Sequence, residues 1–234
     1  MFVKNEPIMK IGSTLVATDL HIGITTELFK LGFKMPLQGE AFASRLNKIG
    51  RRTRAHSLAL LGDVKHSLDA REFERKELSQ FMDSLEFDDV IIIKGNHDGM
   101  IEEMTDKNVV PFLEIEDYFL THGHRKVGKT KTNNIVIGHN HPVIMFRDKL
   151  NAVYRERAWI IGQGKGSLKD KKIIWMPAFN ELCGGADVNT GEKGLGPIAR
   201  ELDIKKAHAH LLDGTDLGEI GKLAAKRLAR HGRR

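Results

Sequence analysis

The chain has few cysteines and few large aromatic residues, and it lacks long apolar runs. Its 234 residues include one Cys, two Trp and two Tyr. A single cysteine excludes an internal disulfide framework and fits a reducing compartment. No apolar run reaches the ~18 residues that a membrane-spanning helix needs, and the first residues lack the apolar stretch of a signal peptide. We therefore expect a cytoplasmic protein that makes no membrane contact.

The excess of positive charge is confined to the C-terminus. The chain has 37 basic and 31 acidic residues, and six of the basic ones fall within residues 222–234, which contain no acidic residue. The rest of the chain is neutral, so a uniformly basic nucleic-acid binder is not predicted. We expect one domain over residues 1–234, with a basic helical tail at about 215–234.

Apolar strands alternate with amphipathic helices in the first half of the chain. Strand-like runs at 15–18, 57–61 and 90–93 are separated by helical patterns at about 40–54 and 69–86. From about residue 108 onward only strands are predicted, at 108–116, 118–121, 134–138, 143–146, 152–161 and 171–176. This order predicts an α/β fold in which two β-sheets pack face to face and helices flank them.

Five of the predicted strands end in residue types that bind metal ions. The clusters are Asp19-x-His21, Gly62-Asp63, Gly95-Asn96-His97-Asp98, Thr121-His122-Gly123-His124 and Gly138-His139-Asn140-His141. Ligands bind outside the carboxyl ends of strands in such sheets, so the clusters are expected to converge. Carboxylate, amide and imidazole donors without thiolate suit Mn, Fe, Zn or Co. They are too many for one tetrahedral ion, and two ions roughly 3.5–4 Å apart can clamp a displacement at phosphorus.

The order of these clusters resembles the calcineurin-like metallophosphoesterases over about residues 14–145. The resemblance implies a four-layer αββα sandwich with a dinuclear site at its edge. It implies that Asp63 bridges two divalent ions, with Mn the expected metal and Fe, Zn or Co the alternatives. One ion would be held by Asp19, His21, Asp63 and His141, and the other by Asp63, Asn96, His122 and His139. His97 would act near the leaving group as an acid or charge stabiliser, and Asp98 would orient His97.

Two further blocks resemble a subgroup of that family. Asp19-Leu20-His21-Ile22-Gly23 is similar to a block of the SbcD-type nucleases, which also have a histidine three residues after the bridging aspartate, as His66 is here. Residues 177–180 and 184–185 are similar to the small archaeal SbcD-related and DNA-ligase-associated phosphoesterases. The resemblance implies that His66 acts close to the phosphodiester. The alternative is a solvated loop histidine.

The leading hypothesis is a phosphodiesterase or nuclease that acts on nucleic acid or nucleotides by attack of a metal-bridging hydroxide. A phosphomonoesterase or a cyclic-nucleotide phosphodiesterase is the alternative, because the motifs define the metal site and not the substrate pocket. A non-catalytic scaffold is a third hypothesis. A phosphoester, with DNA or RNA among the candidates, is the expected substrate, and a homodimer is a common arrangement for which the sequence shows no interface.

Several other residues have two interpretations or only a structural one. The basic residues Arg125, Lys126, Lys129 and Lys131 either line the rim of the site or belong to a solvated loop. His208 and His210 are spaced like ligands on one strand face but lack further partners in the sequence, so we expect them at the surface. Trp159 and Trp175 are expected in the core. Cys183 is given no nucleophilic role.

Overall fold

The computed structural model describes residues 1–69, 72–191 and 193–223. The strands are β1 (Met9–Ile11), β2 (Thr14–Ala17), β3 (Ser57–Leu60), β4 (Asp89–Ile93), β5 (Asn108–Val110), β6 (Leu113–Ile115), β7 (Tyr118–Leu120), β8 (Asn134–Ile137), β9 (Pro142–Arg147), β10 (Val153–Gln163), β11 (Lys172–Trp175), β12 (Ala186–Asp187), β13 (His208–Leu211) and β14 (Asp216–Glu219). The helices are α1 (Ile24–Lys30), α2 (Gly39–Thr53), α3 (Glu72–Asp83) and α4 (Gly196–Arg200). Short 3-10 helices lie at Ile101–Glu103, Gly166–Leu168, Val188–Thr190 and Ile220–Lys222.

The first sheet is built from β1 to β5 in chain order, and β2 to β5 run parallel. Its strands are apolar on both faces, as expected for a parallel sheet covered on both sides. One face packs against α2 and α3, where Leu58 meets helix residues such as Leu46 and Phe81. The opposite face, which includes Val16 and Ala59, packs against the second sheet.

The second sheet follows the order β12-β9-β10-β11-β8-β7-β6, and β13 and β14 extend it beside β10. Because alternate residues of a strand point to opposite faces, each strand serves two cores. Val136 and Trp159 face the first sheet, whereas Ile135 and Trp175 face outward. Both tryptophans are buried, which confirms the prediction that they belong to the core.

The outer face of the second sheet is covered by short helices. Ile198 and Ala199 of α4 and Ile220 of the last 3-10 helix pack on it. The order of layers is therefore helices, sheet, sheet, short helices, and the predicted two-sheet α/β fold is confirmed. No helix within the described ranges is both long and apolar enough to cross a bilayer.

The structure corrects two element predictions. The segment 108–116 is not one strand: β5 pairs with β4 in the first sheet, and β6 pairs with β7 in the second. Pro111 separates them because it has no N–H to donate to a ladder. Helices also do not stop at residue 108, since α4 follows with Pro197 in its first turn.

The predicted helical tail contains no α-helix where the structure describes it. Residues Asp216–Glu219 form β14, which pairs with β13, and Ile220–Lys222 form a 3-10 helix. Gly218 has a φ of 81°, which a right-handed helix cannot accommodate. The rest of the predicted tail, residues 224–234, lies outside the described residues.

Candidate metal centre

The predicted ligand residues meet at the edge that the two sheets share. Asp19 and His21 follow β2, and Asp63 follows β3, both in the first sheet. His122 follows β7 and His141 lies between β8 and β9, both in the second sheet. Nε2 of His122 lies 3.1 Å from Oδ2 of Asp63, and Nε2 of His141 lies 3.1 Å from Oδ1 of Asp19. Each sheet thus supplies part of the set of predicted ligands.

Two clusters of donor atoms at this edge have Asp63 in common. Asp19, His21 and Asp63 form the first, and Asp63, His122 and His139 form the second, with the donor atoms of each cluster within 4.8 Å of one another. His21 also lies within the same range of His66 and His97 and of His141 and Cys183. Asp19 and His122 are fully buried. His141 joins the first cluster through its contact with Asp19.

Hydrogen bonds to backbone carbonyls orient two of these histidines. Nδ1 of His122 lies 2.9 Å from the carbonyl oxygen of Leu61, and Nδ1 of His141 lies 2.9 Å from that of Gly184. A carbonyl only accepts, so these contacts place a proton on Nδ1 and turn Nε2 toward the carboxylates.

The same Nε2 atoms test whether the residues fit a metal ion. Nε2 of His21, His122 and His141 is buried and has no hydrogen-bond partner among the described residues. Carboxylate oxygens of Asp63 and Asp19 lie 3.1–3.8 Å from these atoms. A buried nitrogen lone pair without a donor is costly, and a divalent ion would satisfy all three, so the donor set fits such an ion.

The electrostatics of the site keep most donors in the form that binds metal. Burial opposes ionisation of Asp63, but the nearby His122 and the backbone N–H of His97 hold the pKa of Asp63 well below its usual range. Burial lowers the pKa of His21 to about 4 and that of His139 to about 4. His122 and His141 are exceptions. Burial lowers the pKa of His122, but the carboxylates of Asp63 and Asp19 outweigh burial and raise it to about 9. Burial also lowers the pKa of His141, but the Asp19 carboxylate outweighs burial and raises it above its usual value.

The backbone at the ligands adopts conformations that are uncommon for side-chain-bearing residues. The residues with φ between 41° and 68° include Asp19, His21, Asp63, His139 and His141. Each such residue costs on the order of 1–3 kcal/mol, and such strain concentrates at functional sites. Close approach also demands small neighbours: a Cβ on Gly138 would lie 1.9 Å from Oγ1 of Thr18, beside the Asp19 carboxylate.

His97 and Asn96 face the space between the clusters. Both line a cavity of about 490 Å³ together with His21, Asp63 and His139. The backbone N–H of His97 donates to Oδ1 of Asp63 at 2.8 Å, and Asn96 is exposed in this cavity. The structure therefore places all the predicted ligands at one site, with Asn96 at its open side.

Asp98 does not orient His97 in the way that the family resemblance implies. Oδ1 of Asp98 accepts the backbone N–H of Val64 at 2.9 Å, and Oδ2 accepts that of Gly95 at 2.8 Å. Nδ1 of His97 instead lies 2.6 Å from the carbonyl oxygen of His66. Asp98 thus fixes the backbone of the loops after β3 and β4, and the His66 carbonyl holds the ring of His97.

His66 lies beside the ligand His21 and does not line the cavity. The Nδ1 atoms of the two rings are 3.3 Å apart. Nε2 of His66 lies 3.1 Å from Oε2 of Glu27 on α1. Glu27 was not among the residues predicted from the sequence, because it is 39 residues away from His66 along the chain.

Two buried charged residues that the sequence did not single out fix the loop around His66. Lys65 is fully buried, and its Nζ donates to the carbonyl oxygens of His97 at 2.8 Å, Leu68 at 3.3 Å and Ser67. Glu74 of α3 accepts the backbone N–H of His66 at 2.8 Å. Lysine and glutamate are usually solvated, so only the folded structure shows their role.

His124 and Cys183 also lie next to the ligands. The ring of His124 is centred 5.5 Å from that of His122, and its Nδ1 is buried without a hydrogen-bond partner in the described part of the chain. Sγ of Cys183 lies 3.7 Å from the backbone oxygen of Asp19, and burial raises the pKa of the Cys183 thiol. The raised pKa agrees with the absence of a predicted nucleophilic role.

Comparison with known proteins gives the family and a structural relative. The model of the calcineurin-like phosphoesterase family matches residues 12–210. The crystal structure of the Pseudomonas putida nuclease MPE is similar, with a TM-score of 0.55 and 23% identity, over 86% of this chain and 85% of that one. No curated protein matches significantly.

The family match spans most of the chain and includes every predicted ligand, and the buried donors fit divalent metal ions. The chain therefore belongs to the calcineurin-like phosphoesterases and is a metal-dependent phosphoester hydrolase.

Proposed function

We propose that the chain is a phosphodiesterase of nucleic acid or nucleotides that works with two divalent ions, Mn²⁺ in the first instance. The observation that carries this proposal is that Asp63 belongs to both donor clusters. Oδ2 of Asp63 lies 3.8 Å from Nε2 of His21 and 3.1 Å from Nε2 of His122, so this one carboxylate could serve a pair of ions. Two separate mononuclear sites would not need a common residue.

The bound ions would supply Lewis acidity and an activated water at the phosphorus. The protein contributes position and charge. Asp19, His21 and His141 would hold one ion, and Asn96, His122 and His139 would hold the other, with Asp63 between them. His97, whose Nδ1 faces the His66 carbonyl, presents Nε2 to the cavity and would stabilise charge on the leaving oxygen or protonate it.

The charge of the cavity favours a diester over a monoester. Of the described residues that line the cavity, none is lysine or arginine. A monoester dianion carries one more negative charge at the reacting phosphorus than a diester, and this cavity offers it no fixed cation besides the ions. The SbcD-like blocks around Asp19 and Asn180 support a nucleic-acid substrate, and the similar fold of a nuclease agrees with it.

Four basic residues follow the predicted ligand His122 in sequence but do not line the cavity. Arg125, Lys126, Lys129 and Lys131 are exposed in the segment that follows His122. Such residues would contact phosphates further along a polymeric substrate without reading its sequence.

The test compares a chromogenic diester with its monoester. Hydrolysis of bis-p-nitrophenyl phosphate and of p-nitrophenyl phosphate is measured in Mn²⁺ and in EDTA, for the wild type, Asp63→Asn and the surface control Asp88→Asn. We expect Mn²⁺-dependent diester hydrolysis that Asp63→Asn abolishes and Asp88→Asn preserves. DNA, RNA and cyclic nucleotides are then assayed directly.

Two outcomes would contradict the proposal. Hydrolysis of the monoester alone would assign the chain to the phosphomonoesterases. Binding of a single Mn²⁺ per fully active chain would contradict the two-ion site. Mn²⁺ content is therefore determined on the same samples, after removal of excess ion.

A further inference from the structure

A second group of metal-binding side chains lies on the strand pair β13–β14, away from the residues of the candidate metal centre. His208 and His210 are two residues apart on β13 and so project from the same face. Asp216 of β14 is the Cα partner of His210 across the ladder. The donor atoms of the three side chains lie within 4.8 Å of one another.

The distances match those of ligands that share one ion. Nδ1 of His208 lies 3.4 Å from Oδ2 of Asp216, and Nδ1 of His210 lies 3.8 Å from Oδ1 of the same residue. Zn²⁺ bonds of 2.0–2.1 Å in a tetrahedron place neighbouring donor atoms about 3.3 Å apart. The group would need only small rotations of the side chains to close around an ion, with water as the fourth ligand.

A β-bulge brings the aspartate to this face. The register runs from Ala209–Gly218 directly to His210–Asp216 and skips Leu217. A regular ladder would set Leu217 opposite His210. Bulges re-aim side chains in this way, and Gly218, with a φ of 81°, permits this one. Oδ1 of Asp216 also accepts the N–H of Gly218 at 2.8 Å, which fixes the carboxylate.

The nearest other carboxylate on β14 is already engaged. Glu219 is the Cα partner of His208, but its Oε2 lies 3.0 Å from Nζ of Lys222. The site is therefore made of two imidazoles and one carboxylate, and its half-exposed side chains leave room for water.

We propose that His208, His210 and Asp216 bind one Zn²⁺ that links β13 to β14. Neutral imidazole with carboxylate is a donor set that suits Zn²⁺. The ion would fasten β14, the last described strand, to β13, which pairs with β10 of the second sheet. This structural site shares no ligand with the candidate metal centre.

The test measures Zn²⁺ per chain by equilibrium dialysis and elemental analysis. The wild type is compared with His208→Ala/His210→Ala and with Asp216→Asn, whose amide oxygen can still accept the N–H of Gly218. His56→Ala is the matched control, because His56 also faces an aspartate, Asp88, at 3.4 Å but has no second histidine partner there. The wild type and the three variants all keep the candidate metal centre, so any Zn²⁺ bound there adds equally to the four totals.

We expect the wild type and His56→Ala to bind one Zn²⁺ per chain more than the double variant, and Asp216→Asn to lose the same equivalent. Hydrolysis by the loaded enzyme should not change in these variants. In ¹H–¹³C spectra of the wild type, the ring signals of both histidines should shift when the extra equivalent binds. Equal Zn²⁺ content in the wild type and Asp216→Asn, or unmoved ring signals, would overturn the proposal, and thermal denaturation verifies that each variant is folded.

Discussion

The Nδ1 atoms of His21 and His66 face each other at 3.3 Å, and the far nitrogen of His66 faces the carboxylate of Glu27 at 3.1 Å. A carboxylate accepts, so Nε2 of His66 carries a proton and its Nδ1 accepts one from Nδ1 of His21. This assignment leaves the Nε2 lone pair of His21 for an ion. We infer that His66 positions a metal ligand, whereas the family resemblance implies a role at the phosphodiester.

Replacing His66 with Ala should weaken Mn²⁺ binding. Partners that orient a metal ligand are typically worth 10–100-fold in affinity or activity, and we expect the Mn²⁺ Kd to rise by about this factor, with kcat largely retained at saturating Mn²⁺. Glu27→Gln should show a smaller effect in the same direction. His56→Ala serves as the surface control. An unchanged Mn²⁺ Kd combined with a large loss of kcat would place His66 at the substrate instead.

Replacing His97 with Ala should slow turnover without loss of the metal. His97 lines the cavity, and its ring nitrogen Nδ1 is already engaged by the His66 carbonyl. We expect Mn²⁺ content to stay at the wild-type level and kcat for the diester to fall roughly 10²–10⁴-fold. Wild-type turnover in this variant would show that His97 takes no part in the reaction.

The buried amine of Lys65 should contribute measurably to stability. Lys65→Met fills a similar volume but leaves the carbonyls of Ser67, Leu68 and His97 without their donor. An unsatisfied buried acceptor costs about 1–3 kcal/mol. We therefore expect the free energy of unfolding, measured with urea, to fall by at least about 1 kcal/mol. Lys206→Met, at an exposed position, should change it by less than about 0.5 kcal/mol. Equal stability of Lys65→Met and wild type would refute this role.

The raised pKa of His122 predicts that the metal-free protein loses stability at alkaline pH. Its pKa is about 9 in the folded chain and 6.5 in the unfolded one. The stabilisation is therefore fully present below pH 6.5 and is lost as the pH rises through about 9. A bound ion requires neutral His122, so the Mn²⁺-loaded protein should not show this loss. Urea denaturation between pH 6 and 9.5, with and without Mn²⁺, measures both curves, and His122→Gln should remove the difference in slope.

The sequence predicted that these candidate ligands would lie together, because each follows shortly after an apolar strand. Short strands such as 57–61 and 90–93 are recognisable from composition, and the residue types after them are distinctive. The burial of Trp159 and Trp175 was predictable for the same reason. What the spacing of residues cannot show is which backbone group a side chain meets, and Asp98 was therefore linked to the wrong partner.

Other features depend on contacts between distant parts of the chain. Glu27 and His66 are 39 residues apart, and their contact exists only because α1 forms. The bulge that sets Asp216 opposite His210 depends on the positive φ of Gly218. Asp216 therefore joins His208 and His210 only in the folded structure, whereas the sequence indicated only that the two histidines lie at the surface. Local patterns do not encode such long-range placement.

The split of the metal centre between two sheets has a consequence for newly made chains. Asp19 and Asp63 belong to the first sheet, and His122 and His141 to the second, so no fragment with only one sheet holds a complete donor set. An incompletely synthesised or partly unfolded chain would lack hydrolytic power.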